Sequence, residues 1–148
     1  MLRGSCLCGG IVFEVRGRVR EMGHCHCSQC RKAYGSAFGT IAVVSRNEFC
    51  YLTGTELIAS FKATERVTRY HCKKCGSPLP LVEEWDDLVG IPAGLLDGDP
   101  QVKPSSHIFV ASKAPWGDIQ DDLPRHATWP PNQNMNDRAR SLKSENNR

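Results

Sequence analysis

The chain has 148 residues, 24% of them charged and 7% aromatic, with a net charge of +3. That length makes one domain with a genuine core. The charge is too small to imply a nucleic-acid surface, and no apolar run approaches the ~18 residues that cross a bilayer. Thirteen Gly and nine Pro make the chain turn-rich, which favours short strands over long helices.

Ile11, Phe13 and Val15 alternate with Glu14 after a Gly pair, the period of a half-buried strand. Further short β-type runs follow at 40–44, 49–52, 58–62, 66–71, 79–83, 88–91 and 107–110. Turn signals separate them at 45–48, Thr53-Gly54, Gly76-Ser77-Pro78, 84–87 and Asp97-Gly98-Asp99-Pro100. Many short strands at close spacing predict a mostly β domain with little helix. One helix is expected at 28–34 and a second short helical turn after Pro115, where Pro would open Trp116-Gly117-Asp118-Ile119. From Asn132 the apolar content falls to Met135, Ala139 and Leu142. The expected organisation is therefore a folded domain over 1–131 and a disordered tail over 132–148.

Eight cysteines set the chemistry. The N-terminal MLRGSCLCGG lacks the apolar stretch of a secretory signal, so a cytoplasmic protein is expected. In that reducing compartment clustered thiols read as metal ligands rather than as a disulfide scaffold. Cys6-Leu7-Cys8-Gly9 and Cys72-Lys73-Lys74-Cys75-Gly76 form two pairs, which together make a closed tetrahedral Zn²⁺ set. Such an ion contributes on the order of 10 kcal/mol to folding, and it would staple the strand at 11–15 to the one at 66–71.

The middle cluster, His24-Cys25-His26-Cys27-Ser28-Gln29-Cys30-Arg31-Lys32, brings only three thiols. Three protein ligands with an open fourth position mark a reactive metal centre, where an external thiol can bind as thiolate. Three thiolates on Zn²⁺ leave a net charge of −1, which suits chemistry on sulfur better than hydrolysis of water. Arg31 and Lys32 follow directly and would offset that charge or hold an anionic substrate. A histidine among His24, His26 and His71 is the competing fourth ligand that would close the site. Cys50, inside the apolar run 49–52, reads as a buried core thiol.

The motifs G-S-C-L-C-G-G, C-H-C-S-Q-C-R-K-A-Y-G-S-A-F and H-C-K-K-C-G-S-P-L, with S-K-A-P-W-G-D-I-Q-D-D-L-P at 112–124, resemble the glutathione-dependent formaldehyde-activating enzyme family, also called the centromere protein V/GFA domain. The chain departs from that pattern at His71 and at Arg125-His126, and neither change removes a ligand. The resemblance implies a mostly β, Mss4-like zinc fold. It also implies a structural zinc on Cys6, Cys8, Cys72 and Cys75, and a catalytic or exchangeable zinc on Cys25, Cys27 and Cys30. The implied activity is that of a carbon–sulfur lyase on thiol–aldehyde adducts such as S-hydroxymethylglutathione. Glutathione or another small thiol and a small aldehyde are then the partners, with Arg31 and Lys32 on glutathione carboxylates. Two rival readings are a thiol-binding carrier without catalysis and a zinc-stabilised interaction domain whose two ions each have four protein ligands. The sequence sets neither the electrophile nor the oligomeric state.

Overall fold

In the computed structural model, which describes residues 1–82 and 87–131, the short apolar runs pair into three sheets. The tail at 132–148, and residues 83–86 of the strand and turn expected around them, lie outside the described residues. The first sheet orders β1 (Leu2–Ser5), β2 (Val12–Val15) and β5 (Phe49–Thr53), all antiparallel. The second orders β10 (His107–Ile108), β3 (Glu21–Cys25), β4 (Gly39–Ser45), β9 (Leu88–Pro92) and β8 (Leu81–Val82). The third is a two-stranded ribbon of β6 (Ile58–Lys62) and β7 (Thr68–Cys72). One α-helix, α1 (Ser28–Tyr34), occupies the predicted span. The mostly β architecture expected from the strand spacing is the one the chain adopts.

The core follows from the two-residue period of a strand. On β4 and β9, Ala42 lies opposite Ile91 and Val44 opposite Val89. These four, with Met22 of β3, face the first sheet, where Phe13, Val15 and Phe49 complete one buried cluster. The intervening residues of the same strands, Ile41, Val43, Leu88 and Gly90, face the other way and line a cavity of about 230 Å³. The five-stranded sheet is therefore apolar on both faces, one packed and one open. A second, smaller cluster of Cys6, Ile11, Cys72 and Leu79 joins the first sheet to the ribbon.

Four local expectations are corrected. Strands β1 and β3 were not signalled by alternation, because Gly4 and Gly23 interrupt them. Pairing supplies what local preference lacks: Gly4 sits opposite Phe13, and a Cβ there would run into the Phe13 ring. After Pro115 there is a hydrogen-bonded turn instead of a helix, with the Gly117 N–H donating to the Ala114 carbonyl at 3.1 Å. The following residues offer no apolar face to pack, and Trp116 is exposed. Cys50 is half-buried and outside the core. On β5 the core side goes to Phe49 and Tyr51, which leaves Cys50 on the opposite face beside Glu14.

Gly54 closes β5 at φ +80°, and a Cβ there would collide with the Gly10 carbonyl. Gly54→Ala therefore meets both a disfavoured backbone region and a fixed obstacle. It is expected to cost about 2 kcal/mol or more in denaturant unfolding. Gly94→Ala, which has open space at its Cβ, should stay within about 0.5 kcal/mol of the parent.

Candidate metal centres

Two turns build the first cluster. Cys6 and Cys8 lie between β1 and β2, where the Gly9 N–H donates to the Cys6 carbonyl at 2.8 Å. Cys72 ends β7, and Cys75 lies in a turn where the Gly76 N–H donates to the Cys72 carbonyl at 2.9 Å. Gly9 and Gly76 both take positive φ, and the two turns differ by one residue: the first closes over three residues and the second over four. All four sulfurs fall within 4.8 Å of one another. Cys6 Sγ is 3.5 Å from Cys8 Sγ, and Cys8 Sγ is 3.9 Å from Cys72 Sγ. A tetrahedron with Zn–S bonds of about 2.3 Å spaces its sulfurs about 3.8 Å apart, so the donor set fits one such ion. The Ile11 N–H donates to Cys6 Sγ at 3.3 Å. Hydrogen bonding to Ser77 holds the Cys75 thiol down to about 5.

The second cluster is made where β3 runs into α1. Cys25 is the last residue of β3, Cys27 caps the helix, and Cys30 lies buried in its first turn. The cap is a sulfur one: the Cys30 N–H donates to Cys27 Sγ at 3.3 Å. The three sulfurs lie within 4.8 Å of one another, and no His, Asp or Glu ligand atom among the described residues joins them. Their shared contacts divide the charge unevenly. Hydrogen bonds with the Cys25 and Cys30 sulfurs hold the Cys27 thiol down to about 2. The same sharing with Cys27 and Cys30, together with burial, pushes Cys25 far up. Arg69 Nη2 donates to Cys30 Sγ at 3.6 Å, and its guanidinium lies 6.0 Å from the centre of the Tyr34 ring.

The histidines are engaged elsewhere. His24 Nδ1 is 2.9 Å from the Thr40 hydroxyl, and its ring packs at a 56° tilt against Phe38 with centroids 4.4 Å apart. His71 is exposed on β7 and bridges to Pro78. His26, between two cluster cysteines, is buried with its Nε2 2.8 Å from His107 Nδ1. His107 Nε2 lies 3.1 Å from both carboxylate oxygens of Asp121. A carboxylate only accepts, so His107 Nε2–H donates to Asp121 and its Nδ1 accepts from His26 Nε2–H. That direction leaves the His26 Nδ1 lone pair buried and without a hydrogen-bond partner. Burial first, then the neighbouring His107, pushes the His26 imidazolium down to about 4, which agrees with a neutral ring.

The structure thus brings together Cys6, Cys8, Cys72 and Cys75, and separately Cys25, Cys27 and Cys30. Either cluster can hold a metal ion. Arg31 and Lys32 lie in the last turn of α1, Arg31 half-buried and Lys32 exposed. Sequence reasoning missed Arg69, His107 and Asp121. Asp121 falls inside the 112–124 motif, but its partner is fixed by the parallel pairing of β10 with β3, which no local spacing reports.

Serine at position 72 should leave the first cluster one donor short. Because a closed zinc set supplies on the order of 10 kcal/mol, Cys72→Ser is expected to abolish cooperative unfolding and lower metal content at both clusters. Cys27→Ser should lose one metal equivalent yet keep the unfolding transition. Circular dichroism melts and metal analysis of each variant check this. His107→Ala should keep the fold but weaken metal retention at the three-cysteine cluster by roughly 10–100-fold, read by chelator competition.

The family model for glutathione-dependent formaldehyde-activating enzymes matches residues 1–112. A protein of Podospora anserina, provisionally named a glutathione-dependent formaldehyde-activating enzyme, is 32% identical over 77 residues, which is 51% of this chain and 36% of the relative. One of Aspergillus flavus with the same provisional name is 28% identical over 76 residues, 50% of this chain and 40% of the relative. The matched stretch thus spans well under half the length of these relatives. The crystal structure of a Rhodobacter sphaeroides protein superimposes with a TM-score of 0.56 at 20% identity, over 67% of this chain and 92% of that one, and shares the fold. With three quarters of its length matched and all seven cluster cysteines grouped as the motifs require, the chain belongs to the glutathione-dependent formaldehyde-activating enzyme family.

Proposed function

We propose that the protein is a zinc-dependent carbon–sulfur lyase that makes and breaks the bond between a small thiol of the glutathione type and an aldehyde carbon. The observation that carries this reading is the three-sulfur cluster that no fourth donor joins among the described residues, set beside a complete four-sulfur cluster in the same fold. Zinc held by Cys25, Cys27 and Cys30 would supply a vacant position at which a thiol gives up its proton near neutral pH. The chain's own residues do the rest. Arg69, hydrogen-bonded to Cys30, would offset part of the negative charge that three metal-bound thiolates carry. The Asp121–His107–His26 chain of hydrogen bonds fixes the segment between Cys25 and Cys27, so the sulfurs keep their spacing. Arg31 and Lys32 on α1 hold the carboxylates of the incoming thiol.

The reaction needs no oxidant. A sulfur lone pair forms the C–S bond and the carbonyl π pair moves to oxygen. That oxygen takes up a proton equivalent to the one the thiol lost, and the reverse sequence releases the aldehyde. Cys6, Cys8, Cys72 and Cys75 would hold a second, structural zinc. None of the eight cysteines is paired in a disulfide, which suits a cytoplasmic protein in a reducing compartment.

Exchange NMR of S-hydroxymethylglutathione with formaldehyde and glutathione tests the reading on zinc-loaded protein. The exchange rate should rise in proportion to protein at fixed thiol, and Cys27→Ser should remove at least about 99% of that increment. Protein that keeps both zinc ions and binds glutathione stoichiometrically without raising the rate would be a carrier, and the reading would fall.

A further inference from the structure

The outer face of the five-stranded sheet carries a property that formaldehyde chemistry does not use. Along β3 the residues facing the cavity are Glu21, Gly23 and Cys25, so the strand that supplies a cluster sulfur also forms the cavity floor. Ile41 and Val43 of β4, Leu88 and Gly90 of β9, and Leu81 of β8 continue that floor, and Cys30 closes one wall. Gly23 and Gly90 contribute no side chain, which deepens it; a Cβ at Gly90 would already touch Ile41 at 3.3 Å. The turn of the β6–β7 ribbon (Arg66, Val67), Ser105, Ser106, Ile108 and Trp129 add to the lining.

Size and polarity both speak against a one-carbon occupant. The cavity holds about 230 Å³, whereas an apolar cavity of about 150 Å³ already binds benzene. Its lining is mostly apolar, with Glu21 and Arg66 the charged members and Ser105 and Ser106 the hydroxyl ones, so burying the ammonium and both carboxylates of glutathione there would strip them of more water than these few groups replace. Charged thiol groups belong on the basic side chains of α1, and the cavity is left for the other reactant.

We infer that the electrophile this protein works on is an aldehyde bearing an apolar group of about six to nine carbon atoms, branched or aromatic, seated on the outer face of the five-stranded sheet with its carbonyl toward Cys25 and Cys30. The inference rests on the proposed lyase reading for its chemistry, and on the cavity alone for its substrate class. Sulfur adds to the carbonyl carbon, the π pair goes to oxygen, one proton is taken up, and a hemithioacetal results. Formaldehyde reacts at the same sulfur but gains nothing from the floor.

Two measurements on the full zinc-loaded chain separate this inference from the reading beneath it. The first compares protein-dependent acceleration of glutathione adduct exchange for formaldehyde, 2-ethylhexanal and benzaldehyde, each relative to its uncatalysed rate. Acceleration should be at least about tenfold greater for the two larger aldehydes, since each buried methylene is worth that order of discrimination. The second follows binding of benzamide, an unreactive stand-in for benzaldehyde, by titration calorimetry and NMR. Its Kd should be of order 1 mM. Val43→Phe and Leu81→Phe, each checked for retention of both zinc ions, should weaken it at least about tenfold and reduce the benzaldehyde-to-formaldehyde ratio alike. Benzamide binding that the filling variants weaken, with no aldehyde accelerated, would sink the lyase reading and leave the substrate class standing. Formaldehyde accelerated as well as the larger aldehydes, or benzamide indifferent to both variants, would overturn the inference.

Discussion

The closest constraint in the molecule is the meeting of two cysteine pairs that are more than sixty residues apart in the chain. Among the described residues four buried ones, Cys6, Ile11, Cys72 and Leu79, with Tyr51, Leu57, Ile58, Tyr70 and Cys75 packed against them, join the first sheet to the ribbon. That cluster is small beside the main core. Four sulfurs spaced for a tetrahedral ion sit at the same junction. Where zinc occupies them, binding free energy becomes folding free energy, and coordination helps to set the position of the ribbon together with side-chain packing.

That anchoring reaches the reactive region through one strand. Cys72 ends β7 in the closed cluster, Arg69 three residues earlier touches Cys30 of the open one, and Val67 lines the cavity. A strand rises about 3.3 Å per residue, so these three contacts span the short distance from the four-cysteine cluster to the cavity. Structure and chemistry are thereby linked without a shared ligand. A loosened closed cluster frees the ribbon, and the ribbon carries both the guanidinium that balances Cys30 and part of the cavity lining.

What the sequence disclosed depended on whether a feature was local. The helix at 28–34 and both cysteine groupings were legible because each pair or triplet sits on one short turn, where spacing fixes geometry. The runs at 40–44 and 88–91 showed their strands, and they contained more than that. Ile41-Ala42-Val43-Val44 is apolar at both parities, the pattern of a strand covered on both faces. The second face proved to be the cavity floor. Arg69, His107 and Asp121 were not legible, because strand pairing and a long return segment place them, and neither leaves a periodic signal. Gly4 and Gly23 concealed β1 and β3 for a related reason: glycine weakens local preference while allowing close approach in the assembled sheet.

The division of polarity around the three-cysteine cluster explains why sulfur chemistry, rather than hydrolysis, fits this site. Three thiolates would already leave a zinc ion with a net negative charge, which lessens its pull on the proton of a bound water but leaves a bound sulfur electron-rich. Arg69 and the α1 basic residues supply positive charge. The cavity beside Cys25 and Cys30 is mostly apolar, so it gives water little to bind and an apolar substituent much to gain. The His26–His107–Asp121 chain runs from two buried imidazoles out to an exposed carboxylate. A neutral His26 positions its two neighbouring cysteines without adding charge that would compete with theirs. On the proposed reading, an anionic nucleophile and an apolar electrophile would have separate approaches to the same sulfurs, each set by residues that fold for other reasons.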